Sequence, residues 1–296
     1  MSEHKYSFMY KLQSSPCYII AEAGVNHNGD KRLALELISK AKECGADAVK
    51  FQTYRASELS APGAHRDMLA ALQIPLEWYA ELIKEAERVG IDFLSSAFDY
   101  DSASFLCDIG VRAIKIPSGE IRSTQFVTAV AKLGRPLIIS TGMCGWDVTD
   151  AIHQCLGSSF DVAWLQCVSC YPAKAEDYNL RIMDELHRRY GKTRIGGHGV
   201  VGISDHTLDD TLPIAAAGRG AQIIEKHFTT SRDLAGPDHA MSMDPTAFGS
   251  MVAKVRSISN ALARDQYKAV LPCEEATVRK SIRQFQGMQY WRIPAP

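Results

Sequence analysis

The chain has 296 residues, 46% hydrophobic and 23% charged, with 33 basic side chains against 34 acidic ones. That balance excludes disorder, collagen-like repeats and a chain-wide nucleic-acid or anionic-membrane surface, while leaving room for a local basic pocket. No apolar run approaches the ~20 residues of a membrane-spanning helix. Residues 1–16 lack the apolar centre of a secretory signal, and the eight cysteines are too dispersed for a disulfide scaffold. The expectation is therefore a reduced, cytoplasmic setting.

Residues 1–16 read as an N-terminal extension and 17–23 as a first strand. Asn26-His27-Asn28-Gly29-Asp30 is foremost a tight turn and helix N-cap, with a ligand-facing role for His27 secondary. Over 30–44, Ala34, Leu37, Ile38 and Ala41 share a helical face, and Gly45 follows as a cap. A second strand at 46–52 leads into a long connection, 53–74, which reads as a lid or an oligomer contact. Tyr79, Leu82, Ile83 and Ala86 repeat the helical face before Gly90, and Phe126, Ala129, Val130 and Leu133 repeat it before Gly134. Further strands are expected at 91–97, 111–116, 136–140, 162–168, 200–204 and 221–227. Cys167-Val-Ser-Cys170 reads as structural thiols, since no second pair completes a zinc site and a redox motif would open a helix. The glycine-rich stretch 191–199 precedes the seventh strand, at the rim where stability is decided, and His198 there reads as exposed.

Eight nearly continuous apolar strands alternating with helices point to an α/β fold, a (β/α)8 TIM barrel over 17–265, with 266–296 as a tail. A doubly wound open sheet is the alternative, but the first strand lacks the Gly-x-Gly-x-x-Gly turn of a Rossmann fold.

The strand ends are polar: Glu22; Lys50 and Gln52; Ser95 and Ser96; Lys115, Ser118 and Glu120; Ser140; Ser169; Ser204, Asp205 and His206; Glu225 and His227. Ionisable groups at buried strand ends are costly unless paired or used, and so many together read as a site. Residues two apart share a side of a strand, which groups Lys50 with Gln52, Ser204 with His206, and Glu225 with His227. His206 and His227 on neighbouring strands make a credible first-row metal pair; the alternative is that each packs against a carboxylate. Lys50 and Lys115, with Ser96, Ser118, Ser140 and Ser204, form a cage suited to phosphate or carboxylate. Buried ion pairs with Glu22, Glu120 or Glu225 are the competing reading, and both can hold at once. Lys226 is expected to point away from this cluster.

The segments IIAEAGVNHNGD, ADAVKFQT, DFLSSAFD, IKIPSGE, LIISTGM, CYPAKAED, GISDHT, EKHFT and GPDHAMSMDP stand in this order across roughly 17–251. On these motifs the chain resembles the sialic acid synthase (N-acetylneuraminate synthase) family. The resemblance implies condensation of phosphoenolpyruvate with an amino-sugar aldehyde, giving a nonulosonic 2-keto-3-deoxy acid and phosphate. It implies that His206 and His227 hold a divalent metal, Mn2+ or Mg2+. It assigns phosphoenolpyruvate to Lys50, Ser96, Lys115, Ser118, Ser140, Ser169 and Ser204, and sugar orientation to Glu22, Gln52, Tyr171 and Asp238. Glu120 matches a carboxylate placed for proton transfer, so the catalytic set is Glu22, Lys115 and Glu120.

Three features depart from the family pattern. No C-terminal antifreeze-like domain is expected after the linker-like segment 274–283; Gln166 stands where many members have histidine; and 53–74 is short, with no alignable sugar-binding asparagine. The acceptor is thus open, as is a homodimer. A different aldehyde acceptor and a non-catalytic phosphoenolpyruvate- or sugar-binding protein are alternatives. A metal-dependent barrel hydrolase would begin with His-x-His where this chain has Glu22-Ala-Gly.

Overall fold

The computed structural model describes residues 8–12, 17–157, 160–191, 199–262, 270–277, 283–286 and 289–292. The expected alternation is realised as β1 (Tyr18–Gly24), α1 (Lys31–Glu43), β2 (Ala48–Thr53), α2 (Ala56–Leu59), α3 (Ala64–Leu72), α4 (Tyr79–Val89) and β3 (Asp92–Ala97). There follow α5 (Tyr100–Asp108), β4 (Ile114–Ile116), α6 (Thr124–Ala131), β5 (Leu137–Ser140), α7 (Trp146–Leu156) and β6 (Val162–Cys167). The series closes with α8 (Ile182–Tyr190), β7 (Val200–Asp205), α9 (Thr211–Gly218), β8 (Ile223–His227) and α10 (Pro245–Leu262). The eight strands form a closed barrel in sequence order, and β8 returns to pair parallel with β1. The (β/α)8 architecture is established.

Local chemistry explains the elements. The Asp30 side chain accepts from Arg32 N and starts α1, which buries Ala34, Leu37, Ile38 and Ala41. Each fully buried leucine or isoleucine stabilises by ~1.5–3 kcal/mol. Gly45, Gly90 and Gly134 have φ of +86°, +74° and +86°, the left-handed turn that an L side chain resists. On α6 the buried residues are Val127, Val130 and Ala131, so the face is rotated from the one expected through Phe126 and Ala129. Several strands begin later than expected; the ladder of β4 starts at Ile114, because 111–113 only lead the chain back from the preceding turn.

The barrel interior is layered. Ile20, Ala48, Leu94, Ala113, Ile138, Leu165 and Ile223 form an apolar lower layer. Two residues on, at the same face of each strand, stand Glu22, Lys50, Ser96, Lys115, Ser140, Cys167 and Glu225, also buried. One step of ~7 Å along the strands thus turns a hydrophobic core into a polar chamber. Below the apolar layer, Phe8, Met9 and Leu12 join the same cluster from the helical segment 8–12, so part of the expected N-terminal extension is core. Lys11 pairs with Asp92 at 2.7 Å, and the Tyr18 hydroxyl donates to the same carboxylate at 2.6 Å.

The connection at 53–74 contains α2 and α3, ordered by Tyr54, Ala56 and Leu72 packed against Val25, Leu59, Leu69 and Phe98. Residues Met1–Leu262 make one unit and Ala263–Pro296 another. Within the second, Arg283–Gln286 and Gln289–Arg292 pair antiparallel. His198 lies outside the described residues, as do parts of the linker-like segment. Among the described residues no helix is long and apolar enough to cross a membrane.

Candidate active site

The polar chamber opens at the C-terminal ends of the strands as a cavity of about 430 Å³. Glu22, Lys50, Gln52, Ser96, Lys115, Ser118 and Ser140 line it, together with Ser169, Tyr171, Ser204, His206, His227 and Asp238. Of the residues expected at the site, Glu120 is the exception. The ladder of β4 stops at Ile116, and a turn closed by Glu120 N on the Pro117 carbonyl at 3.0 Å follows, so strand alternation no longer governs its direction. Glu120 is half-buried, and partial burial with the Asp99 charge raises its carboxyl above the ordinary range.

Glu225, expected among the polar strand ends on the face of His227 but given no role in holding substrate, also lines the cavity. Lys50 Nζ lies 2.5 Å from Glu22 Oε2 and 3.7 Å from Glu225 Oε1, and donates to Ser96 Oγ at 2.9 Å. Lys115 Nζ is 3.7 Å from Glu225 Oε1 and donates to the Ile116 carbonyl at 3.3 Å. Ser204 Oγ donates to Glu225 at 3.0 Å, and Gln52 Nε2 to Glu22 Oε1 at 3.1 Å. Cage and ion pairs therefore coexist.

Burial decides the electrostatics. Desolvation pushes the Glu22 carboxyl up to about 7 against the pull of Lys50. Desolvation also works against the charge on Glu225, but Lys115 and Lys50 outweigh it and hold that carboxyl below its ordinary range. Lys50 is held above its usual value because its two carboxylates overcome burial; Lys115, with weaker partners, is pulled below. Among the described residues Lys115 is the buried lysine with the most distant partners, a carbonyl at 3.3 Å and a carboxylate at 3.7 Å. The Ser140 and Ser169 hydroxyls and Glu225 Oε2 are buried without hydrogen-bond partners. Buried polar atoms left unpaired are expensive, so a ligand that meets them gains directly.

The two histidines meet across β7 and β8, with ring centroids 5.4 Å apart, and Tyr171 stacks on His206 at 4.1 Å. His206 Nδ1 lies 2.7 Å from the Val168 carbonyl. A carbonyl only accepts, so Nδ1 carries the proton and Nε2 keeps its lone pair. His227 Nδ1 is buried with no hydrogen-bond partner and has Asp238 Oδ2 at 3.8 Å. Burial pulls both imidazoles below their ordinary values, keeping them neutral, the form that ligates metal. Two neutral imidazoles are a donor pair that a divalent ion can take, with its remaining positions left to water or substrate. Among the described residues no group of three or more His, Cys, Asp or Glu side chains suits a metal.

At the outer side, a Cβ on Gly24 would stand 3.3 Å from each of Glu22, Gln52 and Asp238, so three polar groups converge on one bare backbone position. Met68, Leu69 and Leu72 of α3 line the cavity with Val25 and Phe98, which makes the 53–74 connection one of its walls. Cys167 is buried in the cavity wall, Cys170 is exposed, both thiols are free, and burial pushes the Cys167 thiol up. His27 does not line the cavity; it is buried against Phe51 and Trp78 and accepts from Gly29 N at 3.1 Å.

The chain is similar to known proteins over most of its length. The chain is 41% identical over 293 residues to the N,N'-diacetyllegionaminic acid synthase of Legionella pneumophila, covering 91% of this chain and 80% of that one. It is 34% identical to the human N-acetylneuraminate-9-phosphate synthase, covering 90% and 76%. A crystal structure of N-acetylneuraminic acid synthetase from Leptospira borgpetersenii aligns with a TM-score of 0.80 at 29% identity, covering 90% and 93%. The model of the NeuB family matches residues 37–267, and the chain belongs to that family.

Proposed function

We propose that this chain condenses phosphoenolpyruvate with the aldehyde of an acylated amino sugar, giving a nonulosonic 2-keto-3-deoxy acid and inorganic phosphate. The observation that carries the reading is Lys115: among the described residues, a buried ammonium with no carboxylate nearer than 3.7 Å, lining one cavity with the unpartnered hydroxyls of Ser140 and Ser169. An anion with phosphate and carboxylate ends supplies what these groups lack. The names of the Legionella and human relatives, both synthases of sialic-acid-like products, support the same reaction class.

His206 and His227 hold a divalent ion in this reading, Mn2+ or Mg2+. When bound, such an ion supplies Lewis acidity toward a carbonyl oxygen. Lys50, Lys115, Ser96, Ser118, Ser140, Ser169 and Ser204 hold phosphoenolpyruvate with its carbon 3 toward the mouth. Gln52, Tyr171 and Asp238, with Glu22, orient the sugar. Carbon 3 attacks the aldehyde carbon, forming the new C–C bond and leaving positive charge at carbon 2. Glu22, with a carboxyl near 7, gives its proton to the resulting alkoxide. Water adds to carbon 2 and returns a proton to Glu22. The tetrahedral intermediate then breaks its C–O bond, the leaving phosphate takes the hydroxyl proton, and the ketone forms. Proton transfer is assigned to Glu22, whose carboxyl lines the cavity against Lys50. Holding both substrates together lowers the barrier further, by up to ~7–11 kcal/mol in favourable cases.

The outer wall narrows the acceptor. Val25, Met68, Leu69, Leu72, Phe98 and Pro237 are apolar, and the lysines among the lining residues, Lys50 and Lys115, sit at the phosphoenolpyruvate end. This wall suits acyl methyl groups and, among the described residues, presents no lysine or arginine to a sugar phosphate, so we assign an uncharged, acylated acceptor. The test is phosphate release from phosphoenolpyruvate with Mn2+ and a panel of amino sugars: mono- and di-N-acetylated, free and 6-phosphorylated. Phosphate release matched by a 2-keto acid with the unphosphorylated members is expected. Silence across the panel, with phosphoenolpyruvate still bound, would establish a binding protein instead.

A further inference from the structure

Lys226 takes no part in that chemistry, yet it is one of the most completely engaged side chains in the molecule. It stands on β8 between Glu225 and His227, and strand alternation turns it out of the barrel, where it is 1% exposed. Its ammonium donates to Asp205 Oδ2 at 2.6 Å, to the Thr207 carbonyl at 2.5 Å and to the Asp209 carbonyl at 2.9 Å, with Thr207 Oγ1 at 3.2 Å. Asp205 in turn accepts from Thr207 N at 2.9 Å and from Thr207 Oγ1 at 3.0 Å. Residues on both sides of His206 are thus tied to one cation, carried by the strand that also carries His227.

His206 is held as tightly itself. Its N–H donates to the Tyr178 hydroxyl at 2.8 Å, its carbonyl accepts from Ala173 N at 3.0 Å, and its Nδ1 meets the Val168 carbonyl at 2.7 Å. The ladder already joins the strands, with Asp205 opposite Lys226. A buried ion pair adds little to such a join, because desolvation offsets most of the attraction and an apolar pair of equal volume often serves as well. What an apolar pair cannot supply is direction: three N–H donors fix three oxygen positions.

We propose that Lys226 is a positioning residue for the imidazole pair, locking the 205–209 turn so that His206 Nε2 faces the cavity beside His227. The proposal rests on the preceding assignment of a divalent ion to these two histidines. Lys226→Met leaves Asp205 buried and unpaired, so the informative variant pairs it with Asp205→Asn, which leaves no charge behind. In the full chain without substrates, three properties are measured: Mn2+ binding by calorimetry, phosphoenolpyruvate binding without metal, and the 15N imidazole spectrum of His206. In the folded paired variant, Mn2+ is expected to bind about 10- to 100-fold more weakly, phosphoenolpyruvate within about twofold of wild type, and the Nδ1–H signature of His206 to be lost. Unchanged Mn2+ affinity with an unchanged His206 signature overturns the proposal. A wild-type chain that takes up no Mn2+ overturns the metal assignment instead, and the His206 signature alone then decides the role of Lys226. Should the paired variant fail to fold, Lys226→Arg, which keeps the charge without the compact three-donor geometry, carries the same readouts.

Discussion

Two lysines, Lys115 inside the barrel and Lys226 outside it, are buried almost equally, at 3% and 1% exposure. Lys115 has one long hydrogen bond and a carboxylate at 3.7 Å; Lys226 has oxygens at 2.5, 2.6, 2.9 and 3.2 Å. Burial alone therefore does not separate a functional cation from an architectural one. Satisfaction does: a buried charge left short of partners is waiting for a ligand, and one with every donor engaged is holding the chain.

The comparison can be broken by experiment. The largest effect is expected on the interior side, where Glu22→Gln should lower kcat about 10²–10⁴-fold. Wild-type turnover should also fall as pH rises through about 7, where the Glu22 carboxyl loses the proton it donates. A pH–kcat profile that keeps this bend in Glu22→Gln would move the proton to another group. Outside the barrel, Lys226→Met should destabilise the fold by about 3–5 kcal/mol in denaturant titrations, the cost of leaving a buried carboxylate unpaired.

A third experiment changes pH rather than charge placement. Burial holds His27 neutral, pushed down to about 4 from an ordinary 6.5. A depressed value means that the stability it contributes is present above pH 6.5 and lost as pH falls toward 4. That loss amounts to about 3 kcal/mol. Urea titrations at the two ends of this window should show a smaller acid loss in His27→Gln than in wild type.

The smallest effect sharpens the contrast best. Lys115→Met should raise KM for phosphoenolpyruvate about 10–100-fold, the equivalent of one charge-assisted hydrogen bond. It should lower the melting temperature less than Lys226→Met does, because Glu225 keeps Lys50 at 3.7 Å and the Ser204 hydroxyl as partners. A fall as large as that of Lys226→Met would mean that Lys115 is architectural after all.

Much of this was legible in the sequence because strand periodicity is strict. Once Lys50, Lys115, Ser140 and Glu225 are placed two residues beyond apolar partners, their common chamber follows. The pairing of His206 with His227 followed from the same rule. Where regular structure stops, the rule stops: Glu120, past a turn, was placed in the cavity and does not line it. The α6 segment, TQFVTAVA, is apolar nearly all round, so spacing fixed a helix but not its buried face. Residues 8–12 gave too short a pattern to be seen as core, and the central place of Glu225 emerged only once its distances to both lysines were known.

Phe8, Met9 and Leu12 beneath the barrel have a kinetic corollary. With the floor closed among the described residues, the substrates proposed above would share the mouth at the strand ends, the enol seated inside the sugar. In that reading enolpyruvate arrives before the aldehyde and phosphate departs after the sugar acid, a compulsory sequence that steady-state inhibition patterns would reveal.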